Sequence, residues 1–374
     1  MSIKPLTPCD MRHKLSLLIL SVLSLVAVTL QGAQADTITA PKTWYFNGIM
    51  GLNVTGTGLI NWTSGGKNTA GGLSFAKLRL LYEKGAVAWE TNLDTGFGLS
   101  WTQQDEDPWK KTTDKIKWNT KLGWEFKPDW YLTVLGEFES QYVVGRKMKK
   151  GYDPPISDWL APSYSYISVG IDWKTYNDYY NFSFYMAPLT MMVTTAYVSD
   201  EKNAAYNAEH QEQVPDDPDW DFRRSLQTKY GTFKIVQDAY GVPDIEWHDA
   251  RVELGLGFKG TLAYRRNNLT LLSTITLFTP YQGRGYDVKE AWESTHPGET
   301  WDIPFQYSNM NRQFGNFDVD WDASITYQFA KVLDVTLSTS LRYYNGVLIA
   351  DSEGVERERV QFKTLFGIGL GYSF

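Results

Sequence analysis

The sequence contains almost no cysteine, since Cys9 is the only one among 374 residues. Cys9 precedes an apolar run near the N-terminus, and we expect it to be removed together with that run. This position excludes disulfides, cysteine-ligated metals and cysteine nucleophiles from the mature protein. Cys9 is also badly placed for lipid attachment, which would require a cysteine at the cleavage point.

Long apolar runs are missing too, apart from residues 15–30. That run follows three basic residues, Lys4, Arg12 and Lys14, and precedes the small-residue site Ala33-Gln34-Ala35. This arrangement is typical of a signal peptide, and the run is shorter than the roughly 20 residues of a membrane helix. We therefore predict a signal peptide over 1–35 and a mature chain over 36–374.

Basic charge is scarce. The formal net charge is −7, and the predicted signal peptide carries a net +2, so that −9 remains for the mature part. Because an acidic chain repels the phosphate backbone, nucleic acid is excluded as a partner.

Apolar and polar residues alternate along twelve segments of the mature chain. In 115–126 and 316–329, for example, aromatic and aliphatic residues occupy one face, and asparagine, glycine and charges occupy the other. Such alternation predicts β-strands. We expect them near 43–55, 70–83, 86–101, 113–126, 130–143, 163–174, 180–194, 250–264, 268–279, 315–329, 332–344 and 357–374.

The connections between these strands alternate strictly between short and long. Five are tight turns, and the others include 195–249 and 280–314. Short periplasmic turns and long extracellular loops are typical of outer-membrane barrels. A soluble sandwich also alternates, but one sheet closed around its polar face fits these strands better. The sequence therefore predicts an all-β fold, a transmembrane antiparallel up-and-down β-barrel of about 12 strands in a Gram-negative outer membrane.

The last predicted strand ends the chain on an aromatic residue. Its alternate positions are apolar and resemble the C-terminal signal that outer-membrane insertion machinery recognises: Phe366, Ile368, Leu370, Tyr372 and Phe374. An ordinary edge strand is the alternative, but an unpaired apolar edge promotes aggregation. We favour a barrel-assembly signal.

The same alternation of apolar and polar residues predicts which charged side chains face the lumen. The candidates are Lys77, Arg79, Glu90, Asp94, Lys115, Lys117, Lys121, Glu137, Glu139, Asp318, Asp320 and Asp322. Neighbouring strands carry opposite signs, which favours cross-strand ion pairs. Twelve strands lie between a filled barrel and an open channel, so the charges could either stabilise the wall or line a pore.

The longest loop, 195–249, is acidic and offers no convincing metal site. The spacing of Asp217, Asp219 and Asp221 could hold Ca²⁺, but an EF-hand needs Gly and Glu where Phe222 and Thr228 stand. We expect a solvated loop with a short helix over 223–240, folded over or into the barrel mouth.

Enzymatic chemistry has little support. His248-Asp249 is the one suggestive pair, and adjacent residues on a strand point to opposite faces. We therefore expect no catalytic residues, no cofactor and no metal.

Several short segments together resemble an uncharacterised outer-membrane family of Bacteroidota with a porin-like barrel. The resemblance is carried by Asn61-Trp62-Thr63-Ser64-Gly65-Gly66-Lys67-Asn68-Thr69, Ser157-Asp158-Trp159-Leu160-Ala161-Pro162-Ser163-Tyr164, Ala187-Pro188-Leu189-Thr190 and Tyr240-Gly241-Val242. Each segment also has a plain structural interpretation as a turn. The resemblance implies an outer-membrane barrel, and it assigns neither a substrate nor catalytic residues.

Two functions remain open from the sequence. The sequence favours a porin-like channel for small solutes, and the alternative is a non-conducting envelope component of a surface assembly or secretion system. The expected partners are outer-membrane lipid, the insertion machinery during biogenesis, and either a small solute or an envelope protein.

Overall fold

The computed structural model of the chain describes residues 43–57, 68–103, 108–146, 154–237, 243–281, 314–330, 333–345, 347–350 and 356–373. All of them belong to one compact unit, Thr43–Phe374. The predicted signal peptide and the terminal Phe374 lie outside the described residues. The signal peptide therefore stays a prediction.

The described chain contains eighteen strands and two helices. In chain order they are β1 (Trp44–Thr57), β2 (Thr69–Lys84), β3 (Val87–Thr102), β4 (Trp109–Lys127), β5 (Trp130–Ser140), β6 (Gly145–Arg146), β7 (Pro155–Ser157), β8 (Ser163–Tyr176), β9 (Tyr180–Thr195), α1 (Asp200–Gln213), α2 (Phe222–Tyr230), β10 (Phe233–Gln237), β11 (Pro243–Trp247), β12 (Ala250–Arg266), β13 (Leu269–Pro280), β14 (Asp318–Gln328), β15 (Leu333–Tyr343), β16 (Leu348–Ala350), β17 (Glu356–Glu358) and β18 (Gln361–Ser373).

Twelve of these strands form a closed antiparallel barrel, which confirms the predicted fold class. Around the ring they follow the order β1-β18-β15-β14-β13-β12-β9-β8-β5-β4-β3-β2. Each chain neighbour in the wall is also a spatial neighbour, as in an up-and-down barrel. The six short strands pair among themselves as β6-β7, β10-β11 and β16-β17.

The two ends of the barrel differ in their connections. At one end, the turn end, Gly85, Asp129 and Asn267 lie in tight turns with positive φ values of 59°, 70° and 52°. These residue types tolerate the left-handed region best. The other end, the loop end, carries the long connections, including both helices and the three short hairpins.

Most strand boundaries agree with the prediction, and the differences arise at the loop end. The strand β5 ends at Ser140 instead of 143, because the small β6–β7 hairpin follows it. The strand β18 begins at Gln361 instead of 357, because β17 pairs with β16 outside the wall. The strands of a small hairpin show the same alternation of apolar and polar residues as a wall strand. The sequence pattern therefore did not separate the two.

The prediction for the long loop was wrong in two respects. The helix expected over 223–240 ends at Tyr230. The next residue, Gly231, adopts φ 63°, and a glycine in this left-handed conformation terminates helices. The helix α1 was not predicted, since 195–249 was expected to be a solvated loop. Ser199 caps α1 by accepting a hydrogen bond from the N–H of Lys202.

The side of each strand that bears aromatic and aliphatic residues is exposed. Examples are Trp118, Leu122 and Trp124 on β4, which are 44%, 50% and 54% exposed. Ring pairs connect several of these residues near the turn end, such as Trp44 with Tyr82 at 4.7 Å between centroids. No helix among the described residues is long and apolar enough to cross a membrane.

Candidate functional site: the barrel interior and its mouth

Ion pairs connect neighbouring wall strands. Arg79 on β2 pairs with Glu90 on β3 at 3.0 Å. Lys115 on β4 pairs with Asp94 on β3 at 2.9 Å. In the strand register Arg79 lies opposite Asn92, and Lys115 lies opposite Gly96. Both ion pairs are therefore diagonal, and a separation of about 7–8 Å between such neighbours is within reach of long side chains. Opposite charges on successive strands therefore stabilise this part of the wall.

Other ion pairs join strands that are not neighbours. Lys117 on β4 lies 3.5 Å from Asp320 on β14, and Arg342 on β15 lies 3.7 Å from Glu139 on β5. In the ring of twelve, β4 and β14 are six places apart in either direction, and so are β5 and β15. Side chains from opposite walls can meet only through the interior. These pairs therefore cross the lumen.

We call this group of six the crossing cluster: Lys115, Lys117, Glu139, Asp320, Asp322 and Arg342. It contains three cations and three anions, so its formal charge is zero. Asp322 lies 3.9 Å from Lys115 and 3.7 Å from Lys117. The cluster is self-compensated and needs no ligand charge to balance it.

The carboxylates of the crossing cluster are well supplied with donors. Arg342 donates to both oxygens of Asp322, at 3.0 and 2.9 Å, and lies 2.9 Å from Asp320. Ser340 donates to Asp322 at 2.6 Å. The side chains of Lys117 and Asp320 are only 13% and 12% exposed. Paired, hydrogen-bonded charges are the form in which burial is tolerated.

A second ionic group lies beside the crossing cluster. Lys259 on β12 pairs with Glu137 on β5, and Lys121 on β4 pairs with Asp172 on β8 at 2.7 Å. Asp172 is fully buried and also accepts a hydrogen bond from Ser183 at 2.6 Å. These pairs bridge strands that are two or three places apart in the ring.

The cavities around these groups are small. One has a volume of about 10 Å³ and is bordered by Lys117, Glu137 and Tyr166. Another, of about 20 Å³, lies between Tyr185, Lys259 and neighbouring side chains. A water molecule needs about 10–15 Å³ of cavity volume, so each of these two cavities has space for about one water.

The structure brings most of the predicted lumen residues together. Ten of the twelve candidates take part in the ion pairs above: Arg79, Glu90, Asp94, Lys115, Lys117, Lys121, Glu137, Glu139, Asp320 and Asp322. Lys77 lies opposite Asp94 in the strand register, and Asp318 accepts a hydrogen bond from the N–H of Asn345 at 2.7 Å. The sequence prediction missed Asp172, although its position between Ile171 and Trp173 follows the same alternation.

The loop end of the barrel is covered by an apolar cluster centred on α2. We call it the mouth cluster, and its buried members are Ala161, Ala196, Val198, Phe222, Leu226, Tyr230, Tyr344 and Val347. Phe222 and Leu226 are 0% and 1% exposed. Tyr344 follows β15 and stacks on Tyr164 of β8, with 4.9 Å between ring centroids. Because β15 and β8 stand five places apart in the ring, the cluster connects nearly opposite walls.

The first turn of α2 is held by hydrogen bonds to Asp221. Its carboxylate accepts from the N–H of Arg224 at 2.8 Å and from the side-chain amides of Asn203 and Asn207 on α1, at 2.8 and 2.7 Å. Partial burial raises the pKa of Asp221, but these hydrogen bonds outweigh burial, so that its pKa lies below the ordinary value. Asp221 therefore caps α2 and ties it to α1.

The calcium hypothesis for the acidic loop finds no support in this geometry. The oxygens of Asp221 are engaged in capping, and Asp217 lies 3.3 Å from His210 on α1. Within the described parts of the chain, no group of three or more potential ligands is placed to hold a metal ion.

The pair His248-Asp249 helps to fix α2 to the wall. Gln227 on α2 donates to the carbonyl of His248 at 3.1 Å and to the carboxylate of Asp249 at 3.3 Å. Arg251 on β12 donates to the carbonyl of Tyr230 at 2.9 Å. These contacts give the two residues a structural role between helix and strand.

Comparison with known proteins gives the following matches. The family described as "Protein of unknown function (DUF3078)" matches residues 54–145. No curated protein matches the chain significantly.

Three solved structures are similar to the chain at low identity. An outer-membrane channel from Pseudomonas putida F1 is 7% identical, with a TM-score of 0.35 over 92% of this chain and 100% of that chain. The NanC porin is 9% identical, with a TM-score of 0.32 over 88% and 100%. The translocator domain of the autotransporter NalP from Neisseria meningitidis is 11% identical, with a TM-score of 0.29 over 98% of each chain.

Proposed function

We propose that this chain is an integral outer-membrane barrel with an interior closed to solutes at rest, and that it serves as a non-conducting envelope component. Its membrane location is supported by the exposed apolar face of the wall. Phe366 and Ile368, two residues of the proposed barrel-assembly signal on β18, belong to that face and are 67% and 56% exposed. Every wall strand pairs with two neighbours over all or part of its length, which satisfies most backbone groups in a bilayer that offers no hydrogen bonds.

The ion pairs between opposite walls are the observation that supports a closed interior. An open pore of this ring size would keep its charges on the wall, with water between them. Here Lys117 and Arg342 reach carboxylates on the far side, and the mouth cluster covers the loop end. This arrangement favours the envelope component over the porin-like channel, the two functions that the sequence left open.

The proposed function places the working surface on the loop end. The segment that contains α1 and α2 lies there, outside the wall, and carries exposed charges such as Glu201 and Glu212. A component of a surface assembly would present this segment to an envelope protein. The interior would then serve as the rigid base of that surface.

Planar-bilayer recording of the purified full-length protein tests the proposal. We expect no stepwise conductance from the wild-type protein, because the crossing cluster and the mouth cluster block the lumen. A double substitution, Lys117→Ala with Arg342→Ala, removes two of the groups that cross, and it should increase ion leakage. The exposed-pair substitution Arg146→Ala is the matched control and should leave the record unchanged.

Steady conductance of the wild-type protein that changes with Lys117→Ala would contradict the proposal. It would support the channel function instead. Heat-dependent gel mobility, which separates folded from unfolded barrels, should be checked for each variant before recording.

A further inference from the structure

The first and last wall strands are paired over only part of their length. The strands β1 and β18 pair from Ile49↔Ser373 to Asn53↔Gly369. The next four positions on each strand, 54–57 and 365–368, form no ladder with each other among the residues that the structure describes. Each segment is paired on its other side, 54–57 with β2 and 365–368 with β15. We call these two segments the open seam.

The exposure of side chains agrees with a gap at this place. Val54 and Phe366, on the outward face, are each 67% exposed, which is more than most large apolar residues of the wall. Thr55, which alternates with the outward residues of β1, is exposed as well, whereas the inward positions of β18 in the seam, Leu365 and Gly367, are half-buried. On most other strands the residues of that parity are buried or half-buried. The outward face of both strands, together with the inward face of β1 at Thr55, is therefore accessible at the open seam.

Depth in the membrane decides what can fill the gap. The residues that flank it on the outward face are apolar, so the open seam lies at the level of the apolar band. The two edges carry backbone N–H and C=O groups, and lipid chains offer these groups no hydrogen bonds. Another backbone is the chemical partner that supplies donors and acceptors at the spacing of a strand.

We infer that the open seam accepts a β-strand from a partner polypeptide, which adds to the wall edge at β18. The partner strand would present apolar residues outward, beside Phe366 and Ile368. It would present small or polar residues inward, because the inward positions of β18 here include Gly367 and the space above it is occupied by Asn53. The inference rests on the proposed membrane location and is independent of whether the lumen conducts.

Disulfide trapping measures whether the seam is open in the full-length protein in lipid vesicles. Cysteine pairs would be introduced as Val54→Cys with Ile368→Cys, and as Leu52→Cys with Leu370→Cys for control. The control pair is part of the ladder, and it lies two residues away on both strands, so both pairs would have the same facing and geometry if the ladder continued. Directly paired residues lie at a Cα separation that suits a disulfide.

We expect the control pair to cross-link at least about tenfold faster than the seam pair, because disulfide formation requires the Cα separation that a ladder provides. Equal rates would show that the ladder closes across 54–57 and would overturn the inference. Heat-dependent gel mobility would show that both variants fold.

A peptide probe tests what the seam accepts. A synthetic peptide copying residues 44–57, with cysteine in place of Val54, would be added to the single variants Ile368→Cys and Leu370→Cys. We expect a mixed disulfide with Ile368→Cys and little with Leu370→Cys, whose ladder position is occupied by β1. A scrambled peptide of the same composition is the control.

If the seam pair does not cross-link and the peptide is not captured either, lipid fills the open seam. That result would also overturn the inference. If the wild-type protein conducts and the peptide is captured, the closed interior is rejected and the strand-accepting seam is retained. The two proposals can therefore fail separately.

Discussion

Removal of Lys117 should destabilise the barrel far more than removal of an exposed cation. In Lys117→Met the ammonium group is lost, and Glu139, Asp320 and Asp322 lose contacts of 3.2, 3.5 and 3.7 Å. Breaking a buried ion pair by removing one partner costs about 3–5 kcal/mol. Arg342 still reaches Glu139 and Asp320, so we expect a loss at the lower end, about 3 kcal/mol. That corresponds to a change of about 100-fold in the unfolding equilibrium constant.

Two further variants make this prediction specific. Arg146→Met removes a pair with Glu209 in which both side chains are about one-third exposed, and such pairs contribute about 0–1 kcal/mol. Lys117→Met combined with Asp320→Leu removes both charges of one pair and should recover part of the loss. Guanidinium unfolding in lipid vesicles, followed by tryptophan fluorescence, provides the free energies of unfolding. A cost below about 1 kcal/mol for Lys117→Met would refute the buried crossing cluster.

Four further predictions concern the mouth and the wall. Asp221→Ala removes the cap of α2 and should cost about 1 kcal/mol, seen as faster proteolysis of the 200–230 segment, whereas Asp219→Ala should have no effect. Folding lowers the pKa of Asp221, so its contribution to the free energy of unfolding is present above about pH 3.9 and is lost as the pH falls through the lowered value. Proteolysis of the wild-type protein should therefore accelerate only in acid. Phe222→Ala empties a fully buried position and should cost about 3–5 kcal/mol, measured by hydrogen exchange in α2. Gly170→Ala would drive a methyl group into the backbone of β9 and should lower the folded yield on gels, whereas Gly72→Ala, with its nearest contact at 3.9 Å, should fold normally.

The wall could be predicted from the sequence because it depends on a local rule. Successive side chains of a strand point to opposite faces, so the sequence shows that Trp118 and Lys117 lie on different faces without any knowledge of the neighbouring strands. Short turns such as the one at Gly85 fix the order of the strands. The pairing of Arg79 with Glu90 follows from that order, because the two residues lie on successive strands.

The interior contacts could not be predicted in the same way. Parity shows that Lys117 and Asp320 share the inner side, but it does not show which strands face each other across the ring. That relation depends on the number of strands and on closure between β1 and β18. The alternation around Asp172 was readable from the sequence, but its pairing with Lys121, which lies two strands away, was not.

The loop end depends on tertiary packing that local patterns do not encode. The helix α2 is short, and its apolar residues Phe222, Leu226 and Tyr230 are stabilised by contacts with Tyr344 and Val347, more than a hundred residues away. Gly231 was a readable stop signal for that helix, and it would have shortened the predicted segment. The charged helix α1 has few apolar residues, so hydrophobic periodicity could not reveal it.

Accessibility of spin labels at two adjacent positions of β4 tests the central claim most directly. A label replacing Trp118 should face lipid and collide often with oxygen, which dissolves in the bilayer. A label replacing Asn119 should face a closed interior, and it should be poorly accessible both to oxygen and to a water-soluble nickel chelate. High accessibility of position 119 to the chelate would reveal a water-filled lumen, and equal accessibility of the two positions would contradict a wall with lipid on one side.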